Sequence, residues 1–139
     1  MTRGRPPNRG ISDALPFARA RGLVMEIRQN GETPAELVIS ADGKVVFVRI
    51  RRAEPFRRTP EELDAEHRES LTQLRAIPGS ATILREFWAY SKYGTWRFFR
   101  VEDTGLVENG RDGRPLGARG MEPVLRVSGK IGQGAQCNA

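Results

Sequence analysis

Two arginines one residue apart, Arg49 and Arg51, close the apolar run "VVFVRIRR". Residues at i and i+2 of a strand point the same way, so the two guanidinium groups form one donor surface. Guanidinium forks match phosphate oxygens well, which makes a phosphodiester one natural partner. The other is internal: Glu36, one strand earlier in "TPAELVIS", would lie beside Arg49 or Arg51 across a hairpin and neutralise it as a buried or half-buried ion pair. His67 is the chain's single histidine and lies midway between Leu63 and Leu71. It would contact phosphate or polarise water, or it would be a hydrogen-bonded residue at the core edge.

Further basic residues follow the pair. Residues 44–58 hold six basic side chains, including Arg52, Arg57 and Arg58, against Glu54 alone. That is the footprint of a polyanion site. Residues 61–69 hold five acids, which suit a helix start and also screen the neighbouring arginines. Trp88, Tyr90, Trp96, Phe98 and Phe99 crowd one later segment, interleaved with Lys92, Arg97 and Arg100. Such a set can stack nucleic-acid bases, yet cross-strand aromatic pairing is the commoner use. Tyr93, at the turn between the two runs, is the one most suited to exposure.

The elements that position these residues are legible. "ISDALPFARARG" reads as a short helix capped by Ser12 or Asp13, with Pro16 in its first turn and Gly22 as its stop. "LVMEIRQ" alternates like a strand. "AELVIS" and "KVVFVRIRR" flank "ADG", whose Asp-Gly pair supplies the positive φ of a tight hairpin. Residues 59–77 read as one helix. Thr59 is its N-cap, Pro60 its first residue and Glu62 the partner in a capping box, with Leu63, Leu71, Leu74 and Ile77 as its stripe. "ILREFWAYS" and "TWRFFRVED" form a second hairpin. Residues 1–10 read as a disordered basic tail, 11–108 as the domain, and 109–139 as a Gly/Arg-rich, mostly disordered tail in which "EPVLRVSG" is a marginal strand.

Charge placement fits that division. The 139 residues carry +6, and the excess lies in the two tails, while the middle is neutral. Basic tails could hold nucleic acid or only keep the chain soluble. The one cysteine, Cys137, excludes an intrachain disulfide framework and a cysteine-based metal site. No apolar run is long enough for a membrane span and no apolar signal core begins the chain, so the expected location is cytoplasmic with no membrane partner. Phosphate-loop, nucleotide-binding glycine and Ser-His-Asp signatures are absent.

The element order is an α+β αβββαβ core, and over residues 12–103 the chain resembles the PD-(D/E)XK nuclease superfamily, near the archaeal Holliday-junction-resolvase type. The resemblance implies a restriction-endonuclease-like fold with a mixed central sheet flanked by helices. In such nucleases a Pro-Asp and a Glu-X-Lys bring together two metal-binding carboxylates and a lysine that supports the transition state. Here Pro34-Ala35-Glu36 falls at the first motif and Arg49-Ile50-Arg51 at the second. Glu36 would be the metal ligand, and Arg51 would keep the lysine's charge. Arg49 puts a cation where a carboxylate belongs; within about 4 Å of a divalent ion it would oppose binding by several kcal/mol.

The leading expectation is therefore a nucleic-acid-binding protein, for DNA in particular, that grips phosphates with Arg49, Arg51, Arg52, Arg57, Arg58 and His67 and does not cleave them. The alternative is an active Mg²⁺-dependent endonuclease with Glu36 and Arg51 catalytic and a migrated carboxylate such as Glu26; Glu86 and Glu102 are other acids on neighbouring strands. A third reading is an assembly module whose aromatic hairpin meets a partner. A homodimer is compatible with each.

Overall fold

The computed structural model describes residues 6–116. The elements run α1 (Pro6–Arg19), β1 (Leu23–Glu26), β2 (Leu37–Ala41), β3 (Lys44–Arg52), α2 (Pro60–Glu66), α3 (Arg68–Arg75), β4 (Ile83–Tyr90), β5 (Trp96–Glu102) and β6 (Gly105–Asn109). The six strands form one sheet in chain order. Every neighbouring pair is antiparallel except β3 and β4, which are parallel and joined through α2 and α3. A parallel pair cannot be closed by a tight turn, so the helices supply the crossover.

Period-two alternation along β3 sorts the sheet into two faces. Val46, Val48 and Ile50 pack with Ala14 and Ala18 of α1, together with Leu37, Ile39, Trp88 and Phe98. On the opposite face Leu63, Leu71 and Leu74 of α2 and α3 pack on Phe87, Ala89, Phe99 and Val101. Each of those fully buried leucines stabilises the fold by roughly 1.5–3 kcal/mol. Arg49 and Arg51 share the second face by parity.

The β2–β3 hairpin turns through Asp42 and Gly43 at φ 54° and 75°, the double positive φ that matches strand twist. Thr59 and Glu62 close their reciprocal capping box at 2.9 and 3.1 Å. Gly22 lies against β2, where a side-chain carbon would come within 2.5 Å of the Ser40 carbonyl oxygen.

Several expectations are corrected. Helix α1 begins at Pro6, so residues 6–10 are helical, and Pro16 stands inside the helix and not in its first turn. The carbonyl it leaves without a helical donor is that of Ser12, itself an exposed residue. The long helix divides at His67, which has φ −106° and ψ 32°. Its N–H still bonds the Leu63 carbonyl and its carbonyl still accepts from Leu71, each at 2.9 Å, so the hydrogen-bond ladder continues through the bend. Strand β6 was not foreseen. It pairs with β5 across Asp103-Thr104, and the chain beyond it returns to make a bridge between Asn109 and Pro115. The remaining tail expectations, for residues 1–5 and 117–139 with "EPVLRVSG" and Cys137, lie outside the described residues.

Candidate functional site

Glu36 immediately precedes β2, and its backbone is held on both sides. Its N–H bonds the Val48 carbonyl and its carbonyl accepts from Ile27, both at 2.9 Å. Leu37 faces α1, so Glu36 faces α2 and α3, beside the two arginines. Its Oε2 accepts from Arg49 Nη1 at 3.0 Å and from Arg51 Nη1 at 2.8 Å, while Oε1 accepts the Ile50 N–H at 2.7 Å. Glu36 is 4% exposed and Arg49 2%. Arg49 Nη2 also donates to the Thr33 carbonyl at 2.6 Å and to Gln73 Oε1 at 2.8 Å. Burial pushes the Arg49 pKa down and Glu36 pulls it back, with Arg51 adding a further lowering. The guanidinium remains charged at any ordinary pH.

The carboxylate thus holds three donors, two of them cationic, and the cluster keeps one net positive charge. A metal ligand set does not fit here. Glu36 has no acidic neighbour on its face among the candidates, and its lone pairs already accept from cations and a backbone N–H. Among the described residues no group of three or more His, Cys, Asp or Glu is arranged to hold a metal.

The proposed migrated carboxylates lie elsewhere. Glu26 is exposed and in register with Leu37, which places it on the α1 face, across the sheet from Glu36. Glu86 shares that face with Trp88. It is taken by Arg21 in a bidentate pair, 2.8 Å at both oxygens, and by Trp88 Nε1 at 2.9 Å. Burial works to lower the Arg21 pKa, but Glu86, with a smaller contribution from Asp112, more than offsets it, so the value is raised. Glu102 also falls on the α1 face by parity, 3.7 Å from Arg100.

The basic residues separate by burial. Arg49, expected to grip phosphate, is interior, and both of its Nη atoms donate within the chain, one of them to Glu36. The Arg51 side chain is 35% exposed. Its Nη1 serves Glu36 and the Ile50 carbonyl, leaving Nε and Nη2 without an acceptor among the described residues. Arg52 points to the other face, exposed and 3.4 Å from Glu54. Arg57 is exposed with no ion pair among the described residues, and Arg58 lies 3.4 Å from Glu66.

His67 packs on Phe87 with ring centroids 5.0 Å apart. Its Nε2 is buried without a hydrogen bond, and the Glu66 carboxylate is 4.0 Å away. Burial lowers its pKa; Glu66 opposes this, and the charges of Arg51 and Arg58 add to it. A neutral imidazole near Arg51 follows.

The aromatic hairpin mostly packs into its own chain. Trp88, Phe98 and Phe99 are buried, and Trp96 and Tyr90 pack against the α1 side. Tyr93 is 82% exposed. Sequence reasoning missed Gln73 and Thr33 as partners of Arg49. One carbonyl and one neutral amide carry no charge pattern that would have marked them.

No family model matches the sequence, and no curated protein does. Among solved structures the chain is similar to Hjc of Archaeoglobus fulgidus, a Holliday junction resolvase from an archaeal hyperthermophile. The TM-score is 0.50 at 11% identity, over 81% of this chain and 98% of that one. The fold is restriction-endonuclease-like. With six mixed strands and three helices among the described residues it is the α+β architecture that the element order implied. Among the described residues no helix is long and apolar enough to cross a membrane.

Proposed function

We propose that this chain binds nucleic acid, DNA foremost, by its phosphates and leaves the phosphodiester intact. The observation that carries the reading is the Glu36 carboxylate, enclosed by Arg49, Arg51 and the Ile50 N–H. An acid so paired neither recruits a divalent ion nor activates water. The surplus charge of the cluster is presented through Arg51 at the carboxyl end of β3. Arg57 adds a free cation in the loop that follows, and Arg52 and Arg58 add partly neutralised ones. Phosphate contacts of this kind position a ligand without reading its sequence, so the affinity is largely indifferent to base order and falls steeply with salt.

Likeness to a resolvase favours one competing reading, a Mg²⁺-dependent endonuclease. Binding and cleavage of blunt duplex and four-way-junction DNA, measured with Mg²⁺ and with EDTA at two salt concentrations, separates the two. The expected result is salt-sensitive binding indifferent to Mg²⁺ and no strand scission. Mg²⁺-dependent nicking that disappears in Glu36→Ala would overturn the proposal.

A further inference from the structure

The β4–β5 turn is built to hold a ring in solvent. The Ser91 N–H bonds the Thr95 carbonyl at 2.9 Å and the Gly94 N–H bonds the Ser91 carbonyl at 3.1 Å, with Gly94 at φ +85°. Ser91 Oγ accepts the N–H groups of Tyr93 and Thr95 at 3.1 and 3.2 Å. Its own proton is left to donate. Glu54 accepts the Lys92 N–H at 2.9 Å and so ties this turn to the 53–58 loop. Arg97 braces the same loop from below: Nη1 donates to the Phe56 and Arg58 carbonyls at 2.9 and 2.7 Å, and Glu108 takes Nε and Nη2 at 3.0 and 2.9 Å.

Between the two fixed walls lies a groove of about 490 Å³ lined by Phe56, Arg57, Ser91, Tyr93, Thr95 and Arg97. That volume is within the roughly 300–1,000 Å³ of small-ligand sites. No acid lines it. Tyr93 keeps 82% of its surface in solvent, with Lys92 Nζ 5.3 Å from the ring centre. The groove adjoins Arg51: Arg51 is in register with Ala89, and Ala89 with Arg97, on one sheet face. Two strand spacings put Arg51 and Arg97 about 10 Å apart. Both the Arg51 site and the turn lie at the carboxyl ends of the parallel strands, where open α/β sheets bind ligands.

We propose that this groove takes one unpaired nucleobase of a bound nucleic acid. The base stacks on Tyr93, Ser91 Oγ donates to its edge, and Arg57 pairs with the adjoining phosphate. This inference rests on the nucleic-acid reading above and names which part of the ligand the turn receives. A paired base hides its faces in the duplex stack. An acidic peptide would use Arg57 and leave the ring idle.

The test compares a blunt DNA duplex with the same duplex carrying an unpaired 2-aminopurine overhang. Stacking quenches the fluorescence of 2-aminopurine. Wild-type protein is expected to quench the overhang and to bind that duplex at least about five-fold more tightly than the blunt one. Tyr93→Ala should abolish both effects and Tyr93→Phe should keep them, with melting temperatures unchanged because the side chain is exposed. Salt-sensitive binding of both duplexes, without quenching or any effect of Tyr93→Ala, overturns the groove and leaves the proposed function standing. Quenching of the overhang with no affinity for blunt duplex supports the groove and overturns duplex gripping by Arg51. No binding of either DNA overturns both.

Discussion

Glu36→Gln is the sharpest perturbation of the buried cluster. The amide preserves shape and leaves one oxygen to accept the Ile50 N–H, while it removes the charge and turns the other acceptor into a donor. Arg49, 2% exposed, then loses its counter-charge, and the new amide donors face the donors of two guanidinium groups. Removing one partner of a buried ion pair costs about 3–5 kcal/mol. Arg51, with 35% of its side chain in solvent, adds no more than about 1 kcal/mol to that figure. For a domain of this size the loss corresponds to a fall in melting temperature of roughly 10–20 °C. Urea and thermal unfolding with EDTA present measure it directly. The double variant Glu36→Gln/Arg49→Met should regain at least about 2 kcal/mol, because an apolar side chain needs no counter-charge. A loss below about 1 kcal/mol in Glu36→Gln, or simple addition in the double variant, would refute the view that Glu36 exists to neutralise Arg49.

Three other outcomes follow from the same geometry. His67 has a pKa lowered by burial, so between its folded value and the unfolded value near 6.5 the unfolded chain binds more protons, and stability falls as pH drops through that window. His67→Gln should flatten this part of the stability–pH curve relative to the parent; an unchanged slope just below about pH 6.5 counts against it. Arg51→Ala and Arg57→Ala should each weaken DNA binding regardless of sequence and reduce the salt slope by about one, as titrations at several salt concentrations would read. Arg21→Ala strands Glu86, 2% exposed, with Trp88 Nε1 as its remaining side-chain donor, and should cost about 3–5 kcal/mol in urea unfolding.

Local chemistry was legible where one short segment carries its own constraint. The Asp-Gly pair demands positive φ, and Thr59, Pro60 and Glu62 make a helix start wherever they occur together. The alternation of β3 placed Arg49 and Arg51 on one face before any partner was known. Strand β6 escaped because its five residues hold two apolar side chains and bury Asn109, a polar residue, on one face and Leu106 on the other. The start of α1 escaped because Gly and Pro depress helix propensity, while a helix packed on a sheet draws most of its stability from that contact. The bend at His67 escaped because the apolar stripe keeps its spacing on both sides of it.

The sequence by itself determined the β2–β3 and β4–β5 hairpins, the shared face of the two arginines, and the presence of a single acid, Glu36, one hairpin away. Only the tertiary structure decided what each of those charges does. Burial is set by what lies above the sheet, and α3 brings Gln73 over Arg49 while leaving Arg51 at the edge. Strand parity across three chain segments, not spacing along one, sent Glu26 and Glu86 to the opposite face. The same two side chains, equal in sequence, became an interior brace and a surface donor because one lies beneath a helix and the other beside open solvent.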